Sequence, residues 1–221
     1  MTAVLIEQWK RTQADLRARV VICPLPRPLP RYVAGVDAAF GADRRTIFAA
    51  AVVYDRVGRR VVEVAHAVGE VTAPYIPGFL SFREGPAVAA ALGKLSHPFG
   101  VACFDGQGHA HPRRCGLATH VGVTLDLPSV GVAKSRLIGA FDDPAPEAGS
   151  TSPLADRGEQ VGLVLRARAN VLPVFVSVGH KADLDSARDL VLACCAGYRV
   201  PEPTRQADIE VAKLKAARTA G

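Results

Sequence analysis

Three consecutive apolar runs in the first third of the chain constrain its fold more than any other feature. Each run has the length of a β-strand. Short turn-forming segments separate the runs, namely Gly41-Ala42-Asp43 and Val57-Gly58. The runs are YVAGVDAAF (32–40), TIFAAAVVYD (46–55) and RVVEVAHAVGEV (60–71). Because strands joined by short turns pair with their neighbours in opposite directions, the sequence predicts an antiparallel β-meander.

Helix-like and strand-like segments alternate in the rest of the chain. Helices are predicted over 3–22, from Pro86 onward, over 114–125, over 184–196 after an Asp183 cap, and from about 201 to 217 with Thr204 as a possible cap. Strands are predicted over 99–105, 128–134, 160–168 and 173–179, and a polar loop over 142–153. The predicted architecture is an α/β domain spanning 1–221, in which a meander followed by parallel strands forms one mixed sheet flanked by helices.

Composition narrows the class of partner and of chemistry. The net charge of +6 and a pI near 9.3 favour an anionic partner, most simply nucleic acid. Neither a secretory signal nor an apolar run of the ~18 residues that a membrane span requires is apparent. The 5 cysteines form no CxxC pair, which argues against a thiol-based redox or metal protein and indicates free thiols in the cytoplasm.

Acidic residues fall at positions that favour a metal centre. Asp37 lies inside an apolar strand, where an uncompensated charge costs several kcal/mol. Asp105 ends a second strand, Glu84 follows the aromatic stretch after the meander, and Asp208 lies early in the last helix. Carboxylates brought together from separate elements suit one or two Mg²⁺ ions beside a phosphate. Taken singly, each could instead be a helix cap or a surface charge.

Basic and imidazole groups surround the second of these strands. In FDGQGHAHPRR (104–114), His109 and His111 lack the pattern of a zinc site. We expect His111 to contact phosphate or substrate, and either Arg113 or Arg114 to contact phosphate. Lys134 ends the strand SVGVA, where its ammonium could neutralise charge on a phosphate under attack or could simply be solvated.

A rigid tip precedes Glu84 in the stretch PYIPGFLSFRE (74–84). Pro74 and Pro77 each remove a backbone donor, and Gly78 lets the chain turn back. A stiff loop that presents Tyr75 and Ile76 suits insertion into a base stack. The alternative is an ordinary surface turn with a buried tyrosine.

Together these motifs resemble the endonuclease V, or deoxyinosine 3′ endonuclease, family. The matching blocks, in family order, are GVDAAF (35–40), PYIPGFLSFRE (74–84), FDGQGHAHPRR (104–114), PSVGVAKSRL (128–137), VSVGHKADLDSA (176–187) and YRVPEPTRQAD (198–208). They span most of the chain. Gln107 departs from the family pattern, which more often has His at that position.

The resemblance implies an RNase H-like fold and a set of site residues. It implies Mg²⁺ ligands at Asp37, Glu84, Asp105 and Asp208, catalytic roles for Asp37, Glu84, Asp105, His111 and Lys134, a DNA-opening tip at Pro74, Tyr75, Ile76, Pro77 and Gly78, and a substrate pocket at Leu80, Gly106 and Gly108. Because hypoxanthine differs from adenine at its Watson–Crick edge, reading it requires that the base be extruded into a pocket.

The implied reaction is Mg²⁺-dependent hydrolysis of the second phosphodiester 3′ to deoxyinosine, which leaves 3′-hydroxyl and 5′-phosphate ends, and Mn²⁺ is expected to substitute for Mg²⁺. The expected partner is damaged DNA, with no obligate protein partner. Two alternatives remain open at this point. One is an endoribonuclease for inosine-containing RNA, since 2′-hydroxyl contacts cannot be read from one sequence. The other is a non-catalytic nucleic-acid-binding protein with the same fold.

Overall fold

A computed structural model describes residues 2–219 as a mixed eight-stranded sheet with helices on both faces. The strands are β1 (Tyr32–Phe40), β2 (Thr46–Asp55), β3 (Arg60–Glu70), β4 (Val101–Phe104), β5 (Ser129–Ala133), β6 (Thr151–Asp156), β7 (Glu159–Leu165) and β8 (Val174–His180). The helices are α1 (Thr2–Ala18), α2 (Leu80–Leu92), α3 (Leu117–Thr124), α4 (Leu184–Cys194) and α5 (Glu202–Thr219). None of these helices in 2–219 is long and apolar enough to cross a membrane.

The strand order β3-β2-β1-β4-β5-β8-β7-β6 confirms the mixed sheet. β1 to β3 form the predicted antiparallel meander, and β1, β4 and β5 run parallel. The last three strands return to antiparallel pairing. One of them, β6, lies partly within the segment predicted as a loop over 142–153, so that prediction was wrong at its end. Pro153 obscured the pattern, but an edge strand tolerates a proline.

Alternate residues of the central strands face two separate cores. On β1, Val33 packs with residues of α4, whereas Ala34 and Val36 pack with residues of α2 and α3. Helix α5 also contacts the meander, where Val211 lies against Phe48. The sheet is therefore covered by α2 and α3 on one face and by α4 and α5 on the other.

Several helix boundaries differ from the predictions. Helix α3 begins at Leu117 rather than residue 114, and α4 ends at Cys194 rather than residue 196. Helix α1 ends at Ala18 rather than residue 22, and the extended chain after it leads to the sheet. Helix α2 begins at Leu80, so that Pro86 lies inside it instead of in its first turn. Helix α5 begins at Glu202, and Thr204 donates a hydrogen bond to the Pro201 carbonyl from within the first turn rather than capping the helix. The Asp183 cap of α4 is confirmed, with a reciprocal bond to Ser186.

Candidate active site

Asp37 and Asp105 lie side by side because β1 and β4 are parallel neighbours in register. Val36 of β1 pairs with Phe104 of β4, and each aspartate is the next residue of its chain. Neighbouring strands are about 4.8 Å apart, and side chains at equivalent positions project to the same face. The pairing therefore brings together two acids that are 68 positions apart in the sequence.

Glu84 and Asp208 approach this pair from different helices. Glu84 lies in the second turn of α2, and Asp208 lies in the first half of α5. Helix α5 packs very closely on β1: a Cβ atom at Gly35 would lie 2.0 Å from the Pro203 carbonyl oxygen. Only a glycine two residues before Asp37 allows this approach, which brings the start of α5 onto the strand that carries Asp37.

The acids lie close enough for their negative charges to raise one another's pKa values. Burial, followed by the negative charge of Asp105, raises the pKa of Asp37 to about 7. Burial again, followed by the charges of Asp37 and Asp105, raises the pKa of Glu84 to about 8. Repelling, partly buried carboxylates with so little compensation are typical of functional sites.

Lys134 supplies the nearest positive charge. It follows the last residue of β5, and its Nζ lies 2.6 Å from Oδ2 of Asp105. Burial works against its charge, but the hydrogen bond and the charge of Asp105 raise the pKa of the Lys134 ammonium above its usual value. Its side chain is 46% exposed, so the ammonium is held at the acidic cluster and can still be reached from solvent.

The donor set fits a hard divalent cation. All four acidic residues offer oxygen ligands, and a dication would relieve the repulsion that raises the pKa of Asp37 and Glu84. In the conformation of residues 2–219, no three acidic, histidine or cysteine side chains converge tightly enough to enclose an ion. An Oδ of Asp105 contacts the Lys134 ammonium instead.

A pocket of about 270 Å³ opens between the start of α2 and the loops that follow β4 and β5. It brings together the predicted tip, the predicted pocket residues Leu80 and Gly106, and His111. Its further lining includes Gln107, Leu117, Ser135, Arg136 and Leu137. Gly108 does not line it: a Cβ there would lie 2.2 Å from the Val178 carbonyl oxygen, so this glycine serves close packing against β8.

The tip presents Tyr75 as predicted from its proline and glycine content, whereas Ile76 is half-buried and packs against the cluster of Trp9 and Phe79. Tyr75 is 71% exposed, which excludes the alternative of a buried tyrosine. The Arg83 guanidinium lies 5.5 Å from the centre of the Tyr75 ring and 4.6 Å from that of Phe40. The tyrosine therefore stands at the rim of the pocket, on the loop that leads directly into the helix carrying Glu84.

The basic and imidazole residues after β4 divide into two groups. His111 lies in the pocket wall, whereas His109 contacts Glu159 at 2.9 Å. Arg114 is buried and paired with both Asp156 and Glu159. Of the two arginines considered for a phosphate contact, Arg114 is thus committed to the turn between β6 and β7.

Two residues illustrate what sequence reasoning misplaced or missed. His180 follows the predicted strand 173–179, and from the sequence it could either line the site or only pack; it pairs with Ser129 at the start of β5, at the opposite end of that strand from Lys134. Gln13 of α1 was not singled out, yet it is fully buried and bonded to the Gly78 carbonyl of the tip. A polar residue between Trp9 and Leu16 on the apolar face of α1 was the available signal.

Comparison with known proteins gives concordant matches. Residues 14–209 match the family model described as Endonuclease V. An endonuclease V of Rippkaea orientalis is 46% identical over 203 residues, covering 92% of this chain and 88% of the relative.

Two solved structures extend this agreement to the fold. The endonuclease V of Streptomyces avermitilis has a TM-score of 0.92 at 46% identity, covering 96% of this chain and 94% of that one. The Ciona intestinalis endonuclease V, solved with a 23mer DNA containing an inosine followed by a ribo-adenosine, has a TM-score of 0.87 at 26% identity, covering 98% and 99%.

Proposed function

Since the chain belongs to the endonuclease V family and is a nuclease, we propose that it nicks DNA beside deaminated bases. The proposed substrate is duplex DNA with deoxyinosine, cut at the second phosphodiester bond on the 3′ side of the lesion. Water attacks the phosphorus atom and the bond to the 3′ oxygen breaks, which leaves 3′-hydroxyl and 5′-phosphate ends. The inosine-containing DNA bound by the Ciona relative supports this choice of substrate.

One observation carries the proposal: an acidic cluster and a base-sized pocket are joined by one continuous segment of chain. The tip around Tyr75 lines the pocket, and nine residues later Glu84 joins the cluster. A nuclease that must bind a damaged base and cut a bond nearby needs a fixed distance between its base pocket and its acidic cluster. Helix α2 fixes the distance between them, because its later turns pack on the sheet through Ala87, Val88 and Ala91.

The pocket has the size and chemistry for an extruded base. Its volume of about 270 Å³ and its partly apolar lining, with Ile76, Leu80 and Leu117, suit a purine ring. Tyr75, exposed at the rim, would occupy the space that the base leaves in the stack. Gly78 and Gly106 lie in the same wall, and backbone groups of Gly106 could meet the Watson–Crick edge.

At the acidic cluster, this chain binds and orients the phosphate. Asp37, Glu84, Asp105 and Asp208 would hold Mg²⁺, or Mn²⁺ in its place, which when bound would neutralise charge on the phosphate and activate water. The Lys134 ammonium, now on Asp105, lies where it can stabilise the negative charge that develops on a non-bridging oxygen.

The proposal is tested by nicking assays on matched duplexes that contain inosine, uracil, an abasic site or no lesion, with and without Mg²⁺. Inosine duplex should be cut fastest, only with the metal, and at the second bond on its 3′ side. Cleavage of undamaged duplex as fast as inosine duplex would contradict lesion recognition. Inosine-containing RNA belongs in the same assay, and faster cleavage of RNA than of DNA would favour the endoribonuclease instead.

A variant of the tip separates recognition from metal binding. Tyr75→Ala should weaken binding to inosine duplex and leave the affinity for Mg²⁺ unchanged, because the ring lies at the pocket rim rather than among the carboxylates. Tyr75→Phe, which keeps the ring, is the matched control and should bind like the wild type. An equal loss of DNA and metal affinity in Tyr75→Ala would contradict a role in opening the duplex.

A further inference from the structure

The carbonyl oxygen of Gly78, at the base of the tip, accepts three side-chain hydrogen bonds. Nε2 of Gln13 lies 3.1 Å from it and Nε2 of His111 lies 3.0 Å from it. The third donor is the Arg113 guanidinium, through Nη2. A carbonyl has two lone pairs and usually one partner, so this oxygen is held more firmly than an ordinary loop carbonyl.

The proton of His111 is assigned by its two partners. Its Nδ1 accepts from the backbone N–H of Arg113 at 3.2 Å, and that group can only donate. The other nitrogen, Nε2, must therefore carry the proton and donate to Gly78. Burial, followed by the charge of Arg113, lowers the pKa of His111 to about 4, which agrees with this neutral form. Both ring nitrogens are thus used in holding backbone groups.

Gln13 is oriented just as completely. Its Oε1 accepts from Nε of Arg113, which can only donate. Its Nε2 donates to the carbonyl oxygens of Gly78 and Cys115, the latter at 3.2 Å. The side chain is fully buried, so each bond is made in an environment where losing it leaves an unpaired polar group.

Aromatic contacts add to these hydrogen bonds between α1 and the segment around Gly78. The Trp9 ring stacks on Phe82 at 4.7 Å between centroids and lies 5.5 Å from Phe79. The Arg113 guanidinium lies 4.0 Å from the centre of the Phe79 ring. Helix α1 therefore contacts both the residue that follows the tip and the first turn of α2, just before Glu84.

Gly78 itself is suited to this role. Its φ of +80° favours glycine, and a Cβ atom at this position would lie 2.7 Å from Nη2 of Arg113. The positive φ belongs to the turn in which the Gly78 carbonyl meets Gln13, His111 and Arg113, while Tyr75, three residues earlier, remains exposed.

We propose that Gln13, His111 and Arg113 are positioning residues that clamp the Gly78 carbonyl and so hold the tip upright against the DNA duplex. This inference rests on the proposed function. It gives α1 a role in substrate recognition, and it assigns His111 to the clamp instead of to a phosphate. Separating paired bases pushes back on Tyr75, and the clamp resists that push at the base of the loop.

The test compares inosine in a duplex with inosine in a single strand, where no strand separation is needed. Gln13→Leu keeps the approximate volume of the side chain and removes its hydrogen bonds. The expected result is a loss of kcat/KM on the duplex that exceeds the loss on the single strand by about tenfold or more. The extra loss on the duplex should appear mainly in KM, because the acidic cluster is unchanged.

A second clamp in the same protein provides the matched control. The Arg166 guanidinium donates to three loop carbonyls, those of Pro144, Ala145 and Val171, far along the chain from the tip. Arg166→Gln should lower the melting temperature and leave the ratio of duplex to single-strand activity at its wild-type value. Should Gln13→Leu fail to fold, Gln13→Glu, which keeps the acceptor for Arg113 but loses both donated bonds, is judged by the same ratio.

Each outcome decides the matter. A ratio that falls in the Gln13 variant and not in Arg166→Gln supports the clamp. Equal losses on both substrates, or no loss, overturn it and leave Gln13 as a structural residue. A wild-type enzyme that cuts neither inosine substrate would instead contradict the proposed function, so the two failures are distinguishable.

Discussion

Two aspartates on adjacent strands of the same sheet have opposite electrostatics. Asp55 of β2 is buried and Asp37 of β1 is half-buried, and the two lie toward opposite ends of the strand pair. Asp55 pairs in register with Tyr32 at the start of β1, whereas Asp37 lies five residues further along that strand. The pKa of Asp37 is raised to about 7, and that of Asp55 is lowered.

The difference arises from what each carboxylate meets. Asp55 is 1% exposed and accepts two hydrogen bonds from Arg31, at 3.0 and 2.7 Å, together with the backbone N–H groups of Val57 and Gly58. The bonds from Arg31, followed by that from Gly58, lower its pKa. Asp37 has one backbone donor, Ala38, and faces the negative charge of Asp105.

The comparison separates a structural acid from a functional one. A buried carboxylate whose lone pairs are all satisfied stabilises the fold and leaves nothing for a ligand. A carboxylate that faces other carboxylates destabilises the protein unless something positive binds there. Asp55 closes the turn between β2 and β3, whereas Asp37 is one of the acids that we propose as ligands of the cation.

The largest expected effect is on catalysis. Asp37→Asn should lower nicking of inosine duplex by at least about 10³-fold, because it removes a charge that we propose to hold the metal and, through it, the phosphate. DNA binding should change little, since the tip and the pocket remain. Asp55→Asn is the matched variant on the neighbouring strand, and its activity at low temperature should stay close to that of the wild type. Nicking by Asp37→Asn at the wild-type rate would contradict a functional role for Asp37 that Asp55 lacks.

The next effect is the pH dependence of metal binding. Since the pKa values of Asp37 and Glu84 are raised to about 7 and about 8, protons compete with Mg²⁺ below these values. Affinity for Mg²⁺, measured by calorimetry, should weaken by about tenfold or more when the pH is lowered from about 8.5 to about 6. An affinity that does not change over this range would mean that the acids are already ionised without the metal.

A smaller effect is expected on stability at the other end of the strands. Asp55→Asn should lower the melting temperature by several degrees, because Arg31 and two backbone donors lose a charged acceptor. The pKa of Asp55 is lower in the folded protein than in the unfolded chain, so its contribution is present above the unfolded pKa of about 3.9 and is lost as the pH falls below it. The difference in melting temperature between wild type and Asp55→Asn should therefore shrink in acid.

Local sequence patterns predicted which helices and strands exist better than they predicted where each one begins and ends. The three runs of the meander and the strands that end at Asp105 and Lys134 were readable, since apolar residues without helical spacing mark buried strands. Helix α2 was predicted too short because Gly85-Pro86 resembles a helix start, although packing of Val88 and Ala91 on the sheet carries the helix through it.

The candidate site was predictable as a set of residues but not as an arrangement. The convergence of Asp37 and Asp105 follows once their strands are known to be parallel neighbours. The ion pair of Arg114 with Glu159 and the bond from Gln13 to Gly78 join residues 45 and 65 positions apart. Such contacts depend on how whole elements pack, and no local pattern in one sequence encodes them.

The central claim is that the acids around Asp37 repel one another in the metal-free protein and that a bound cation relieves this repulsion. It is tested most directly by thermal unfolding of wild type and Asp37→Asn at about pH 8.5, with and without Mg²⁺. Without the metal, the variant should melt at a higher temperature than the wild type, because one repelling charge has been removed. Mg²⁺ should then raise the melting temperature of the wild type and leave that of the variant nearly unchanged. A variant that is less stable than the wild type without metal, or that gains as much from Mg²⁺, would contradict the account.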